Sequence, residues 1–250
     1  MLKTEKSLPS NQWIDKLENK DAIELILNNQ IESIKAINLS INDLEIVIDK
    51  IVKHINKYKN SRIIYVGAGT SGRLGILDCV ELPPTFNWDI NKLDFLLAGG
   101  KDAMFRSSES SEDDEITILK EIKKKKINNH DIVIGISASG TTKYTVAAIK
   151  KCSDLGALTV GISNNYNTPL LKLAQFSIFL NSNIEVVSGS TRMAAGTTQK
   201  ICLNIISTMV MTRLGKVKNS LMVDMRPTNK KLQKRKRHIS KLIKINSDKK

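Results

Sequence analysis

A chain of 250 residues, 41% of them apolar, can bury a substantial core as one large domain or two small ones. Its formal net charge of +14 is uneven: residues 226–250 hold eleven Lys/Arg against one acid, Asp248, so that end carries +10 of the +14. The end lacks the interleaved aromatics that stacking on bases needs, so it reads as a solvated tail, and nucleic acid is not an expected partner. The cysteines Cys79, Cys152 and Cys202 form no CxxC or metal spacing and suit the reduced thiols of the cytoplasm. Met1–Lys6 has no apolar signal region, and the longest apolar-rich stretch, Ile201–Met211, is shorter than the ~20 residues of a membrane span.

Residues 1–20 read as a polar leader. From Asp21 to Lys59 apolar residues recur at helical spacing (Ile23, Ile26, Ile34, Ile37, Leu44, Val47, Ile51, Ile55), which predicts two or three amphipathic helices. After Arg62 short apolar runs alternate with helical stretches. The predicted strands are Ile63–Val66, Leu93–Leu97, Ile132–Ile136, Leu158–Ile162 and Phe176–Leu180. The predicted helices between and after them are Gly72–Val80, Ile116–Lys126, Thr142–Leu155, Thr168–Leu173 and Gly196–Leu214. Repeated βαβ units imply an α/β fold: a three-layer α/β/α sandwich on a parallel five-stranded sheet, flanked by N-terminal helices. The chain then divides into an N-terminal helical segment over 1–54, the sandwich over 55–218 and a basic tail over 219–250.

Two strand–loop–helix turns carry the chemistry. The first is Gly67-Ala68-Gly69-Thr70-Ser71-Gly72; the second is Ser137-Ala138-Ser139-Gly140-Thr141-Thr142. Glycine lets backbone N–H groups approach an anion, and the following helix N-terminus adds a positive dipole end. Clustered hydroxyls in both loops suit a phosphate monoester on a polar body. Gly67-x-Gly69-x-x-Gly72 also matches the dinucleotide fingerprint, but the next strand ends in Ala98-Gly99-Gly100, where a ribose-binding acid is required. No Gly-Lys-Ser/Thr follows either loop, which excludes a P-loop.

Two groups of carboxylates stand out. Glu81 follows the first helix and precedes Pro83-Pro84, which are expected to prevent the helix from continuing. Glu109-Ser110-Ser111-Glu112-Asp113-Asp114-Glu115 reads as a helix start, with Ser111 as cap and acids in the first turn. Any of these acids, held in a cleft, can serve acid–base chemistry, and the residues alone leave that open. His54, His130 and His238 show neither metal spacing nor a partner for a nucleophilic serine.

The run from Gly67 to Asp78 with Glu81-Leu82-Pro83-Pro84-Thr85 resembles the signature of the N-acetylmuramic acid 6-phosphate etherases. Leu97-Ala98-Gly99-Gly100, Glu109-x-x-Glu112-Asp113, the second loop, Glu185-Val186-Val187-x-Gly189-Ser190-Thr191-Arg192-Met193 and Leu221-Met222-Val223-Asp224 follow in the family's order. The likeness runs from about residue 20 to 235, and the second loop is shared with sugar isomerase (SIS) domains generally. It implies a cytoplasmic homodimer without metal or cofactor that cleaves the lactyl ether of N-acetylmuramate 6-phosphate. It places the catalytic acids on Glu81 and Glu112. Ser137, Ser139, Thr141 and Thr142 would hold the phosphate; Thr70 and Ser71, with the amides of Gly69 and Gly72, would line the sugar; Glu185, Ser190 and Arg192 would complete the pocket. The family continues into a small helical C-terminal domain, here expected to be reduced. The alternative is a non-catalytic phosphosugar-binding regulator on the same scaffold; an aldose–ketose isomerase would not explain Glu81-Leu82-Pro83-Pro84-Thr85.

Overall fold

The computed structural model describes residues 2–106, 108–225, 233, 234 and 237. Of the basic tail predicted over 219–250, residues 219–225, 233, 234 and 237 are described, and the rest lies outside the described residues. Two helices, α1 (Asn19–Lys35) and α2 (Ile41–Lys57), precede strand β1 (Ile63–Gly67). There follow α3 (Gly69–Phe86), β2 (Leu93–Leu97), α4 (Glu115–Lys124), β3 (Ile132–Ser137), α5 (Lys143–Asp154), β4 (Leu158–Ser163), α6 (Pro169–Leu173), β5 (Phe176–Phe179) and α7 (Ala194–Arg213). The five strands form one parallel sheet in the order β2-β1-β3-β4-β5. Every residue of β1, β3 and β4 is buried, as expected of strands covered on both faces. One face packs Tyr65, Ile132, Ile134 and Ile136 against α2, α3 and α7; the other packs Ile64, Val66 and Val133 against α4, α5 and α6. Each fully buried Ile or Leu there contributes roughly 1.5–3 kcal/mol of hydrophobic stabilisation.

This strand order makes the chain turn back between β1 and β3. In register Gly67 stands beside Ile136, so the loops after these two strands lie side by side at their carboxyl ends. That crevice is where open α/β sheets bind ligands. The opposite end is clamped by Arg62, whose Nε and Nη2 donate to the two carboxylate oxygens of Asp131 at 2.9 and 2.7 Å.

Helix α3 departs from the expectation in an instructive way. It runs through Pro83 and Pro84 to Phe86 instead of ending before Glu81. The prolines remove only two hydrogen bonds of the final turns, while Leu82 and Phe86, both buried, dock that turn into the core. The helix ends at Asn87, in the left-handed region at φ 51°, whose N–H donates to the Pro83 carbonyl. Midway along α3 the buried Asp78 accepts from Tyr65 Oη, Asn204 Nδ2 and Ser207 Oγ at 2.7–2.9 Å. Burial raises its pKa, while the three donors pull it down. The contact ties β1, α3 and α7 together and sets the direction of α3.

The leader is not free. Residues 3–5, 10–12 and 14–16 form short 3₁₀ turns, and the first of them docks against the carboxyl ends of the strands. Among the described residues no helix is long and apolar enough to cross a membrane.

Candidate functional site

A cavity of about 470 Å³ opens between the loops after β1 and β3. Ala68, Gly69, Thr70 and Ser71 form one wall, and Ser137, Ala138, Ser139 and Thr142 form the next. Helices α3 and α5 both start here, and neither has a side-chain hydrogen bond at its N-cap. The first N–H groups of two helices are thus left for a ligand, and both dipoles favour an anion. No lysine or arginine lines the cavity among the described residues, so an anion would be held by hydroxyls and amides.

The hydroxyl cluster is preorganised. Ser137 Oγ lies 2.9 Å from Thr142 Oγ1 and 3.2 Å from Ser139 Oγ, and it accepts from the Gly140 N–H at 3.0 Å. Thr141 is turned outward: its hydroxyl donates to Ser139 Oγ at 3.0 Å, and it does not line the cavity. Of the four predicted phosphate hydroxyls, three face the cavity and one braces another.

Glycine has two uses in the first loop. Gly67 and Gly72 let β1 and α3 touch; a Cβ on either would meet the other's backbone at 2.8 Å or less. The Gly72 N–H donates to the Ala68 carbonyl, so its amide serves the helix and not a ligand, contrary to expectation. Gly69 sits at φ +50°, and a Cβ there would stand 3.3 Å from Glu112 Oε1. It leaves room for the Glu112 carboxylate over the N-terminus of α3.

Glu112 lies on the 3₁₀ turn Glu109–Asp113, half-buried on the cavity wall beside Glu109. Burial first, then the charges of Glu109 and Asp113, raise its pKa above the ordinary carboxylate range. The helix-start reading of this segment shifts: the N-cap of α4 is Asp114, which accepts from Thr117 N–H at 2.9 Å, not Ser111. The preceding turn is held by Arg73, whose Nε donates to the Ala103 carbonyl at 2.8 Å.

The remaining predicted residues fall elsewhere. Glu81 is exposed on α3, twelve residues beyond Gly69, or about 18 Å along the helix at ~1.5 Å per residue. Within one chain it is not brought together with Glu112. Glu185 is 1% exposed and lies off the cavity wall; its two carboxylate oxygens accept the N–H groups of Ala194 and Ala195, both at 2.9 Å. It caps α7 from outside the helix. Glu185→Ala should lower stability by about 3 kcal/mol, since two buried donors lose a charged acceptor. Thermal unfolding should show a fall of several degrees; an unchanged midpoint would refute the capping role. Ser190 and Arg192 do not line the cavity, but their neighbours Gly189 and Thr191 do. Sequence reasoning missed Glu5, which reaches the cavity from the leader. No local pattern marks it, because the contact depends on docking across the whole chain.

The sequence profile of the glucokinase regulatory protein N-terminal SIS domain matches residues 45–153, and that of the SIS domain matches 114–212. The fold is similar to a phosphoheptose isomerase from Francisella tularensis (TM-score 0.56, 13% identity, 78% of this chain and 100% of that one). It is also similar to the NanR protein of Vibrio vulnificus complexed with ManNAc-6P (TM-score 0.55, 13% identity, 90% and 70%). N-acetylmuramic acid 6-phosphate etherases are much nearer in sequence. That of Oceanobacillus iheyensis is 41% identical over 239 residues, covering 95% of this chain and 80% of the relative. That of Deinococcus radiodurans is 39% identical over 237 residues, covering 95% and 77%. Identity of this order, held over nearly the whole chain, shows that the protein belongs to the N-acetylmuramic acid 6-phosphate etherase family.

Proposed function

We propose that the protein cleaves the D-lactyl ether of N-acetylmuramate 6-phosphate to N-acetylglucosamine 6-phosphate and D-lactate. The observation that carries this reading is a half-buried carboxylate of raised pKa, Glu112, facing two uncapped helix N-termini and a hydroxyl cluster across one cavity. The 6-phosphate binds to Ser137, Ser139, Thr142 and the N-terminus of α5, with Thr70 and Ser71 along the sugar. Ring opening exposes an aldehyde at C1 and acidifies the C2 proton. Glu112 removes that proton, the C3–O bond breaks, and Glu81 protonates the departing lactate oxygen. Water then adds to the double bond: its hydroxyl goes to C3, its proton returns to Glu81, and Glu112 gives the first proton back to C2. Atoms and charge balance with water as the sole co-reactant.

For Glu81 to act, a second copy must supply it. Leu77, Val80, Glu81 and Pro84 form an exposed stripe at helical spacing on α3, with Leu77 48% and Val80 53% exposed. A twofold axis near residue 75 would pack two α3 helices antiparallel and set position 81 of each opposite position 69 of the other. Exposed Ile23, Leu27, Ile31 and Ile34 on α1 extend the apolar surface available to such a homodimer. Three buried, unpaired cysteines fit the reducing cytoplasm.

The test is release of D-lactate from N-acetylmuramate 6-phosphate, without added metal, by the wild type and by Glu81→Ala. Release by the wild type alone is expected. Saturable binding of the phosphosugar with no lactate would favour the regulator reading.

A further inference from the structure

Resting on the reading above, we propose that residues 3–7 form a strap over the cavity that delivers Glu5 as a carboxylate recognising the sugar. Thr4, 2% exposed, is the anchor. Its hydroxyl accepts from Asn165 Nδ2 at 3.0 Å, and the Lys3 N–H donates to Asn165 Oδ1 at 2.7 Å. Asn165, itself buried at the end of β4, also donates to the Ala138 carbonyl of the phosphate loop at 3.0 Å. One side chain thus joins the strap to the hydroxyl cluster. Lys3 Nζ reaches Asn181 Oδ1 at 2.9 Å, and Ser7 Oγ lies 3.1 Å from Ser188 Oγ. Between these anchors Glu5 lines the cavity, its Oε2 3.6 Å from where a Cβ on Gly189 would stand.

A carboxylate only accepts hydrogen bonds, and the donors of an amino-sugar phosphate are its hydroxyls and its amide N–H. Glu5, Glu109 and Glu112 give the cavity acceptor groups and a negative field, while the two helix N-termini and the hydroxyl loop offer donors. That polarity admits the substrate in one orientation: phosphate on the loop, sugar donors on the carboxylates. Tying the strap to the loop through Asn165 holds both at a set separation.

The experiment compares Glu5→Ala and Glu5→Gln with the wild type in two measurements. The first is KM and kcat for lactate release; the second is the inhibition constant of inorganic phosphate. Loss of a charged hydrogen bond to substrate should raise KM about tenfold or more in Glu5→Ala, with kcat within about threefold. Glu5→Gln should fall between the two. Phosphate inhibition should not weaken, because the hydroxyl loop is untouched and a like charge has been removed from the cavity. An unchanged KM overturns the proposal. So does a parallel rise in KM and in the phosphate constant, which would mean a distorted loop. If the wild type releases no lactate, the etherase reading fails alone. The strap is then judged by calorimetric binding of N-acetylglucosamine 6-phosphate, weakened in Glu5→Ala if the proposal holds and equal in both proteins if it is wrong.

Discussion

Glu112→Gln should lower lactate release by about 10²–10⁴-fold, the loss that follows when a positioned general base is removed. The substitution keeps size and one acceptor oxygen and leaves the hydroxyl loop untouched, so phosphosugar binding should fall far less than the rate and separate chemistry from affinity. In the proposed mechanism the ionised form of Glu112 is the base, and its pKa is raised by burial and by Glu109 and Asp113. The rate should therefore climb with pH through a limb above the usual carboxylate range. Asp113 is exposed, off the cavity wall, and paired with Lys143 Nζ at 3.4 Å. Asp113→Asn removes a like charge and frees a cation nearby, and both changes favour ionised Glu112. The acid limb of kcat/KM should move to lower pH in that variant. An unmoved limb would show that another group titrates.

Mixing Glu81→Ala with Glu112→Ala, each inactive alone, should restore about a quarter of wild-type activity. The figure follows from symmetry: random exchange makes about half the dimers mixed, and each mixed dimer holds one site with both carboxylates intact. The mixture is denatured and refolded together so that subunits exchange, and lactate release is measured. Restoration requires Glu81 to act across the interface. A mixture as inactive as its components would refute this, and Leu77→Glu, placed in the exposed stripe, should separately yield monomers by sedimentation.

Much of this was legible in the sequence because it rests on local chemistry. The strands Leu93–Leu97 and Ile132–Ile136 were readable as short apolar runs, and the two glycine- and hydroxyl-rich turns as helix starts. Ser137, Ser139 and Thr142 followed from one loop whose shape its own residues set. What failed were inferences that a local rule made without its tertiary opponent. Pro83 and Pro84 argue for a helix end, yet the buried Leu82 and Phe86 hold α3 together past them. Ser111 argues for a cap, but Asp114 lies nearer the first turn and takes the Thr117 N–H.

By itself, then, the sequence determined the alternation of strands and helices, the pair of anion-ready loops and the family to which their motifs point. These depend on side-chain period, on glycine and on the hydroxyls within a few residues of each loop. The tertiary structure decided which carboxylates meet. Glu112 lies over Gly69 because its turn, Glu109–Asp113, packs against α5 at the mouth of the cavity; Glu185 turns inward to cap α7; Glu81 is carried about 18 Å down its helix, outside the cavity. Glu5 enters from the far end of the chain through Asn165. Contacts between residues 100 or more positions apart leave no periodic trace in the chain, because they are set by how finished elements pack and not by the order of residues within any one of them.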